Sequence, residues 1–430
     1  MYSSLGMATA RPSIMMKFLI AAIACCMLLP SITAKADGLT VEPTARYRFQ
    51  QVNDPIRGDA QASTLKVRLS AAWKDQSPVS AFVQADYVEA FNENGFNSVT
   101  VTRNASPIPD PPGGELNQAW LQYTGESNWY LRAGRQWLKF DNERHVGTIE
   151  FWQNDQTFDA LSLVYNDSLN WDISLVHIER AHRIFGDDAK ARLPENDIRF
   201  EVNPNRPVFE LGNHDHNSHI INARYSADRR LAVTAYAYLL ENESAQRLST
   251  NTFGARLSGE FKPEAIKYAY TVEFAKQKDS GDNPWQLDAN YTLVELSAQY
   301  KSHQLMISHE RLGESNGFGF ATSLGTNHKF LGWADVFTNY ISTGGIRDTF
   351  FTYRGRAAKL RWRIVAHQFR DDGSGDIAGN ELDLELGFRF NRRWEGKLIA
   401  AKYFAKNGIP TLPASQQNLS TWSLSLAYNF

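Results

Sequence analysis

The stretch Ala62–Lys74 sets the terms for the whole chain. Leu65, Val67, Leu69, Ala71 and Trp73 share one parity, while Lys66, Arg68 and Ser70 share the other. Period-two alternation puts apolar side chains on one face of a strand and charges on the opposite face. The pattern recurs in about eighteen segments. The first three are Leu39–Gln51, Ala62–Lys74 and Val79–Phe91. Glu115–Thr124, Asn128–Leu138, Thr157–Asn166, Asn170–Arg180, Ser218–Ser226 and Arg230–Leu240 follow. Then come Thr250–Phe261, Ala265–Gln277, Asn290–Tyr300, His303–Arg311 and Gly345–Arg354. Ala358–Arg370, Asn380–Phe390, Trp394–Lys406 and Asn418–Phe430 complete the set.

The connections decide between a soluble and a membrane sheet. After even-numbered segments they are short, as in Asp75-Gln76-Ser77-Pro78, Gly125-Glu126-Ser127, Asp167-Ser168-Leu169 and Lys301-Ser302. After odd-numbered segments they are longer, as in Asn92–Gly114, Lys139–Gln156, Ala181–Asn217 and Leu312–Gly344. A soluble sandwich has no reason to sort its loops by parity, whereas periplasmic turns and extracellular loops differ in just this way. Inside hydrocarbon every backbone N–H and C=O needs a partner, and only a closed sheet leaves no edge. The expected fold is all-β: one transmembrane antiparallel β-barrel of about 18 strands, with short periplasmic turns and long extracellular loops. A barrel of that size holds an aqueous lumen unless loops fill it.

The two ends of the chain agree. Asn418–Phe430 carries Trp422, Leu424, Leu426, Tyr428 and Phe430 on one face and Thr421, Ser423, Ser425 and Asn429 on the other. It reads as the edge of a sandwich or as a closing barrel strand with an aromatic terminus. The second resembles the signal read by bacterial barrel-assembly machinery, an expected partner beside outer-membrane lipids. Residues 1–36 read as a signal peptide: Arg11 and Lys17, an apolar run Phe18–Pro30, then Ala34-Lys35-Ala36. Residues 37–430 are then the barrel. Cys25 and Cys26 lie inside the apolar run, where Ala22-Ile23-Ala24 is a poor lipoprotein box, so the mature chain is expected to hold no cysteine. Without Arg11, Lys17 and Lys35 the 45 basic side chains become 42, against 47 acidic ones. That balance argues against nucleic acid as a partner. A mean hydropathy of −0.42 with 12% aromatic residues fits strands that are apolar on one face only. No cofactor is expected.

One stretch has a family likeness. It includes Leu131-Arg132-Ala133-Gly134-Arg135-Gln136, then Asp141, Arg144, Val146-Gly147 and Trp152, then Thr157-Phe158-Asp159-Ala160. This block resembles the alginate export family of outer-membrane proteins. The resemblance implies a channel through which a polysaccharide or a smaller anionic solute passes. Arg135 has lipid-facing parity in a regular strand, which is costly at mid-depth. A bulge at Gly134 or a place at the rim would resolve that. Arg135, Gln136, Asp141, Arg144 and Asp159 are expected to form a network at a constriction loop, either pinning the loop to the wall or touching solute.

Lumen-facing bases are the candidates for a solute path: Arg46, Arg48, Lys66 and Arg68 early in the chain, Arg132, and Arg361, Arg363 and Arg389 late, with Asp86 among them. Glu381, Asp383 and Glu385 are placed to pair with Lys359, Arg361 and Arg363 across the ladder, bracing the wall. Anions are then the preferred solutes. A general small-solute porin is the alternative, and a barrel enzyme of the lipase type a more distant one, through His216 and Ser218. His214 with His216, which also read as part of a solvated loop, and Asp372 with Asp376, which do not match the ligand spacing of an EF-hand loop, are weak metal candidates. Pro107–Gly114, PIPDPPGG, reads as a turn-rich loop tip.

Overall fold

The computed structural model describes residues 34–36, 38–167, 170–338 and 340–429. Most of the expected signal peptide, the Ser168-Leu169 turn and the terminal Phe430 lie outside the described residues. The sheet holds 19 strands. One is the three-residue segment Ala34–Ala36, paired antiparallel with Leu39–Val41. The other eighteen make the barrel.

They are β1 (Leu39–Asn53), β2 (Ala60–Lys74), β3 (Val79–Ala90), β4 (Gly113–Thr124), β5 (Trp129–Gln136) and β6 (Thr157–Asn166). Next come β7 (Trp171–His182), β8 (Asn213–Asp228), β9 (Leu231–Leu240), β10 (Thr250–Phe261), β11 (Ile266–Asp279) and β12 (Asp288–Tyr300). The last six are β13 (His303–Leu312), β14 (Ile346–Ala357), β15 (Leu360–Asp371), β16 (Ile377–Arg389), β17 (Trp394–Ala405) and β18 (Leu419–Asn429). Each strand pairs antiparallel with its sequence neighbours. β1 closes on β18, with Arg48 opposite Ser425 and Gln50 opposite Ser423. Every expected strand is present. The largest shift is at β8, which begins at Asn213; its first turn-length stands above the hydrocarbon belt, where no lipid-facing pattern marks it.

Eight turns join even-numbered strands to the next odd-numbered one, the longest four residues, as at 75–78, and the shortest two, as at 229–230. Several are closed by an Asp or Asn side chain that accepts nearby backbone N–H groups, a local bond that favours turning. Asp228 holds Arg230 and Leu231, and Asn391 holds Arg393 and Trp394. The other ends carry the long loops, the longest spanning 313–345.

The two faces follow the alternation. Leu69, Val83, Leu121, Phe274, Leu296 and Ile307 point outward, with Leu121 62% exposed to what would be lipid. At the turn ends outward aromatic rings pair across neighbouring strands. Tyr123 lies 5.7 Å from Trp129, Trp171 4.9 Å from Tyr225, Phe261 5.4 Å from Tyr268 and Trp394 4.6 Å from Tyr428. Amphipathic rings at one level mark a membrane interface, so these pairs form the periplasmic girdle. The buried apolar core lies inside the barrel. Its members include Phe96, Val146, Phe320 and Phe337, all from loops folded inward.

Candidate functional site

Three loops enter the lumen from the extracellular end: 91–112, 137–156 and 313–345. The middle one, between β5 and β6, runs from wall to wall. Asp141, Glu143 and Ile149 have φ of 51°, 67° and 55°. Only Asp tolerates that region easily, so Glu143 and Ile149 are held there by their surroundings.

On one wall the anchor is Arg144. It is fully buried, and its Nε and Nη2 donate to the two oxygens of Glu310 on β13 at 2.7 and 3.0 Å. Its Nη1 donates to Asn327 at 3.1 Å, and the guanidinium lies 4.9 Å from the Phe330 ring. Burial disfavours the Arg144 charge, but the Glu310 carboxylate outweighs it and the guanidinium is held more firmly protonated than usual. His145 follows, 3.2 Å from Glu273 on β11 and ringed by Tyr236, Tyr238, Tyr291 and Phe320. Asp141 accepts from Asn222 on β8 at 3.0 Å.

On the opposite wall the bases of β1 and β2 hold the far end of the loop. Arg46 donates to Gln153 at 3.0 Å and to the carbonyls of Glu150 and Trp152. Arg48 pairs with Asp110 of loop 91–112 and lies 4.6 and 4.8 Å from the Phe151 and Trp152 rings. Arg68 donates twice to Asp86, at 2.7 and 2.5 Å, and to Asp155 at 2.5 Å. Lys66 sits 3.5 Å from Asp155 and 3.7 Å from Asp86. Burial pushes the Asp155 carboxyl up, but Lys66 and Arg68 pull harder and leave it below the usual carboxylate range.

Loop 313–345 lies against this bridge. The Gly147 N–H donates to the Leu324 carbonyl at 2.9 Å, and His328 stacks on Phe151 at 3.6 Å. The Trp333 and Ala334 N–H groups reach Asp383 and Glu381 of β16 at 3.3 and 2.8 Å.

The expected site residues therefore divide. Arg46, Arg48, Lys66 and Arg68 face the lumen but are bound by inner-loop partners, and Asp86 is bound by Arg68 and Lys66 of β2. Arg132 also faces inward, donating to Gln122 and lying 4.1 Å from the Trp120 ring. Arg361 pairs with Glu395, Arg363 with Glu385 at 3.0 Å, and Arg389 approaches Glu395 at 3.5 Å. Only the Arg363–Glu385 pair matches the expected cross-strand ladder, since Lys359 donates to the Phe390 carbonyl while Glu381 and Asp383 hold loop backbone. The constriction-loop network needs correction, because Arg135 and Asp159 are not part of it. They point outward at the extracellular rim, 2.9 Å apart, with His182 2.8 Å from Asp159. Parity puts Arg135 on the outer face, and its place next to the strand end keeps it out of mid-depth lipid. Gly134, at φ +118°, carries the close approach there, since a Cβ would stand 2.3 Å from the Ala119 carbonyl oxygen. Gln136 faces inward, donating to the Ala160 carbonyl and accepting from Ser162.

Pro107–Gly114 is likewise not a solvated loop tip: Asp110 within it is buried and holds Arg48. Composition marks the turn residues but not the side of the barrel to which they fold. His214 and His216 belong to β8, bonded to the Val208 carbonyl, Asn242 and Ser218. Ser218 is fully buried on the lumen face, away from lipid. Asp372 is held by Arg311 at 2.7 Å and by Arg347 at 2.5 Å, and Asp376 is exposed. No group of three His, Cys, Asp or Glu among the described residues is arranged to hold a metal ion.

A family model described as alginate export matches residues 38–293, more than half of the chain. The chain belongs to the alginate export family. Solved structures share the fold of this alginate export family member. Acinetobacter baumannii OccAB2 matches at a TM-score of 0.69 and 12% identity, covering 92% of this chain and 100% of its own. OccAB4 of the same organism matches at 0.67 and 14% identity, covering 94% and 100%. Pseudomonas aeruginosa OpdK, solved with vanillate, matches at 0.64 and 12% identity, covering 92% and 100%. No curated protein matches significantly. Family and fold together place this alginate export family barrel in the bacterial outer membrane, as a channel for solutes.

Proposed function

We propose that the barrel passes hydrophilic, preferentially anionic solutes across the outer membrane by passive diffusion. The observation that carries this reading is the residual charge of the periplasmic half of the lumen. There Glu260, Glu295, Glu385 and Glu395 each have a basic side chain within 4.0 Å. Among the described residues, Arg132, Arg224, Arg354, Arg356 and Lys397 have no such carboxylate. On the same face Glu42 and Asp172 are, among the described residues, acids with no basic side chain within 4.0 Å. The unbalanced remainder is basic, and fixed charges lining a narrow aqueous path set its ion preference. A loop that runs from wall to wall favours small sugar acids or short oligomers over a polymer strand.

The test is planar-bilayer recording of the purified chain in a potassium chloride gradient. A reversal potential on the chloride side is expected. A cation-preferring channel would sink the anionic reading and leave a general small-solute porin.

A further inference from the structure

Among the loops and the extracellular strand tips lies a cavity of about 640 Å³. Its volume is within the range of about 300–1,000 Å³ typical of small-molecule sites. Six charged or titratable side chains line it: Arg57, Arg183, Glu210, Arg247, His328 and Asp335. Four of them have a local partner. Arg57 pairs with Asp54 at 2.5 Å, Glu210 with Arg199 at 2.8 Å, and His328 with Asp335 at 2.9 Å. Arg183 and Arg247 remain, and neither has a carboxylate partner among the described residues.

Both are built into an aromatic frame. Arg183 donates to the Phe209 carbonyl, and its guanidinium lies 4.5 Å from the Phe185 ring. Arg247 lies 4.0 Å from the Phe209 ring and 5.8 Å from Trp285. The Arg247 Nε is buried and has no hydrogen-bond partner. A buried guanidinium N–H without an acceptor is unfavourable until one arrives, although the rest of the Arg247 side chain is only half-buried. Ring faces hold the cation in place but accept no proton from it. Phe209 joins the two, offering its carbonyl to one arginine and its ring to the other.

We propose that Arg183 and Arg247, with Phe185, Phe209 and Trp285, form a capture subsite in the extracellular vestibule for carboxylates whose bodies present a flat apolar face. The two guanidiniums take the carboxylate, and the rings cover the flat body. That body is either an aromatic ring or the C–H face of a uronic acid; both share the chemistry. Burial without a compensating charge pulls the Arg183 guanidinium down to about 10. The proposal rests on the channel reading for its place on the solute path but not for its binding chemistry.

The experiment is titration calorimetry of the detergent-solubilised full chain with benzoate, trigalacturonate, benzamide and a neutral trisaccharide. Benzoate, trigalacturonate or both should bind, and their neutral counterparts should not. The arm that binds identifies the body. Arg247→Gln, which removes no backbone contact, should weaken binding about tenfold, the loss of one charge-assisted bond. Arg247→Lys should retain most of it. Conductance of Arg247→Gln in potassium chloride should stay close to that of the unaltered chain, which separates loss of the subsite from loss of the pore. Equal binding of charged and neutral probes, no binding of either carboxylate, or full binding by Arg247→Gln would each overturn the subsite. Failure of wild-type conductance would instead count against the channel.

Discussion

Arg144 and Glu310 stand 166 positions apart in the chain and meet as a bidentate pair, with neither side chain exposed. One is on a loop and the other on the far wall. The pair fixes one end of loop 137–156, and Arg46, Arg68 and Asp155 fix the other. The lumen is thus crossed by a strut whose two ends are held by charge.

Removing one partner of that pair should release the strut. Arg144→Met leaves Glu310 buried without its cation, which costs roughly 3–5 kcal/mol for such a site. The expected result is a lower heat-modifiability temperature on gels and a noisier, larger single-channel conductance. Arg144→Met with Glu310→Met should recover most of the stability, because no buried charge is left unpaired. A single variant with unchanged conductance would show that the loop is held by packing alone.

The opposite end should respond to acid. Asp155 is held below its ordinary value of 3.8 by Lys66 and Arg68. A depressed carboxylate contributes stability fully above its unfolded value and loses it as pH falls through the folded one. Conductance should therefore be steady from pH 7 to about 4 and change below that. Asp155→Asn should show the acid phenotype already at neutral pH and lose that part of the pH dependence.

How far these features could be read from the sequence follows from what each depends on. Strands were legible because lipid and water impose opposite demands on alternate residues, as in Leu65–Trp73 against Lys66–Ser70. The start of β8 was not, because His214 and His216 lie above the lipid belt. The destinations of Arg144 and Asp110 were illegible for a different reason: no local period records which wall a loop will reach. For Arg135 parity alone was the better guide, since it placed the side chain outside, while its neighbourhood in the family-like block suggested the constriction.

That placement predicts a quiet phenotype. Arg135 and Asp159 are partly exposed at the rim, where an ion pair contributes little, typically ~0–1 kcal/mol. Arg135→Gln should leave conductance and ion preference unchanged, with at most a small drop in thermal stability. A shift in reversal potential would place Arg135 on the solute path after all.

Pairing also separates struts from selective charges in the lower lumen. Arg363 and Glu385 are 3.0 Å apart and cancel at a distance. Replacing both, as Arg363→Gln with Glu385→Gln, removes no net charge and should leave the reversal potential where it was. Arg132→Gln with Arg354→Gln removes two charges that no carboxylate balances within 4 Å, so the preference should move toward cations. The effect should fade as salt rises, because the screening length falls from about 10 Å at 0.1 M to about 3 Å at 1 M. Equal shifts from the two double variants would mean that the solute senses individual side chains rather than the net field.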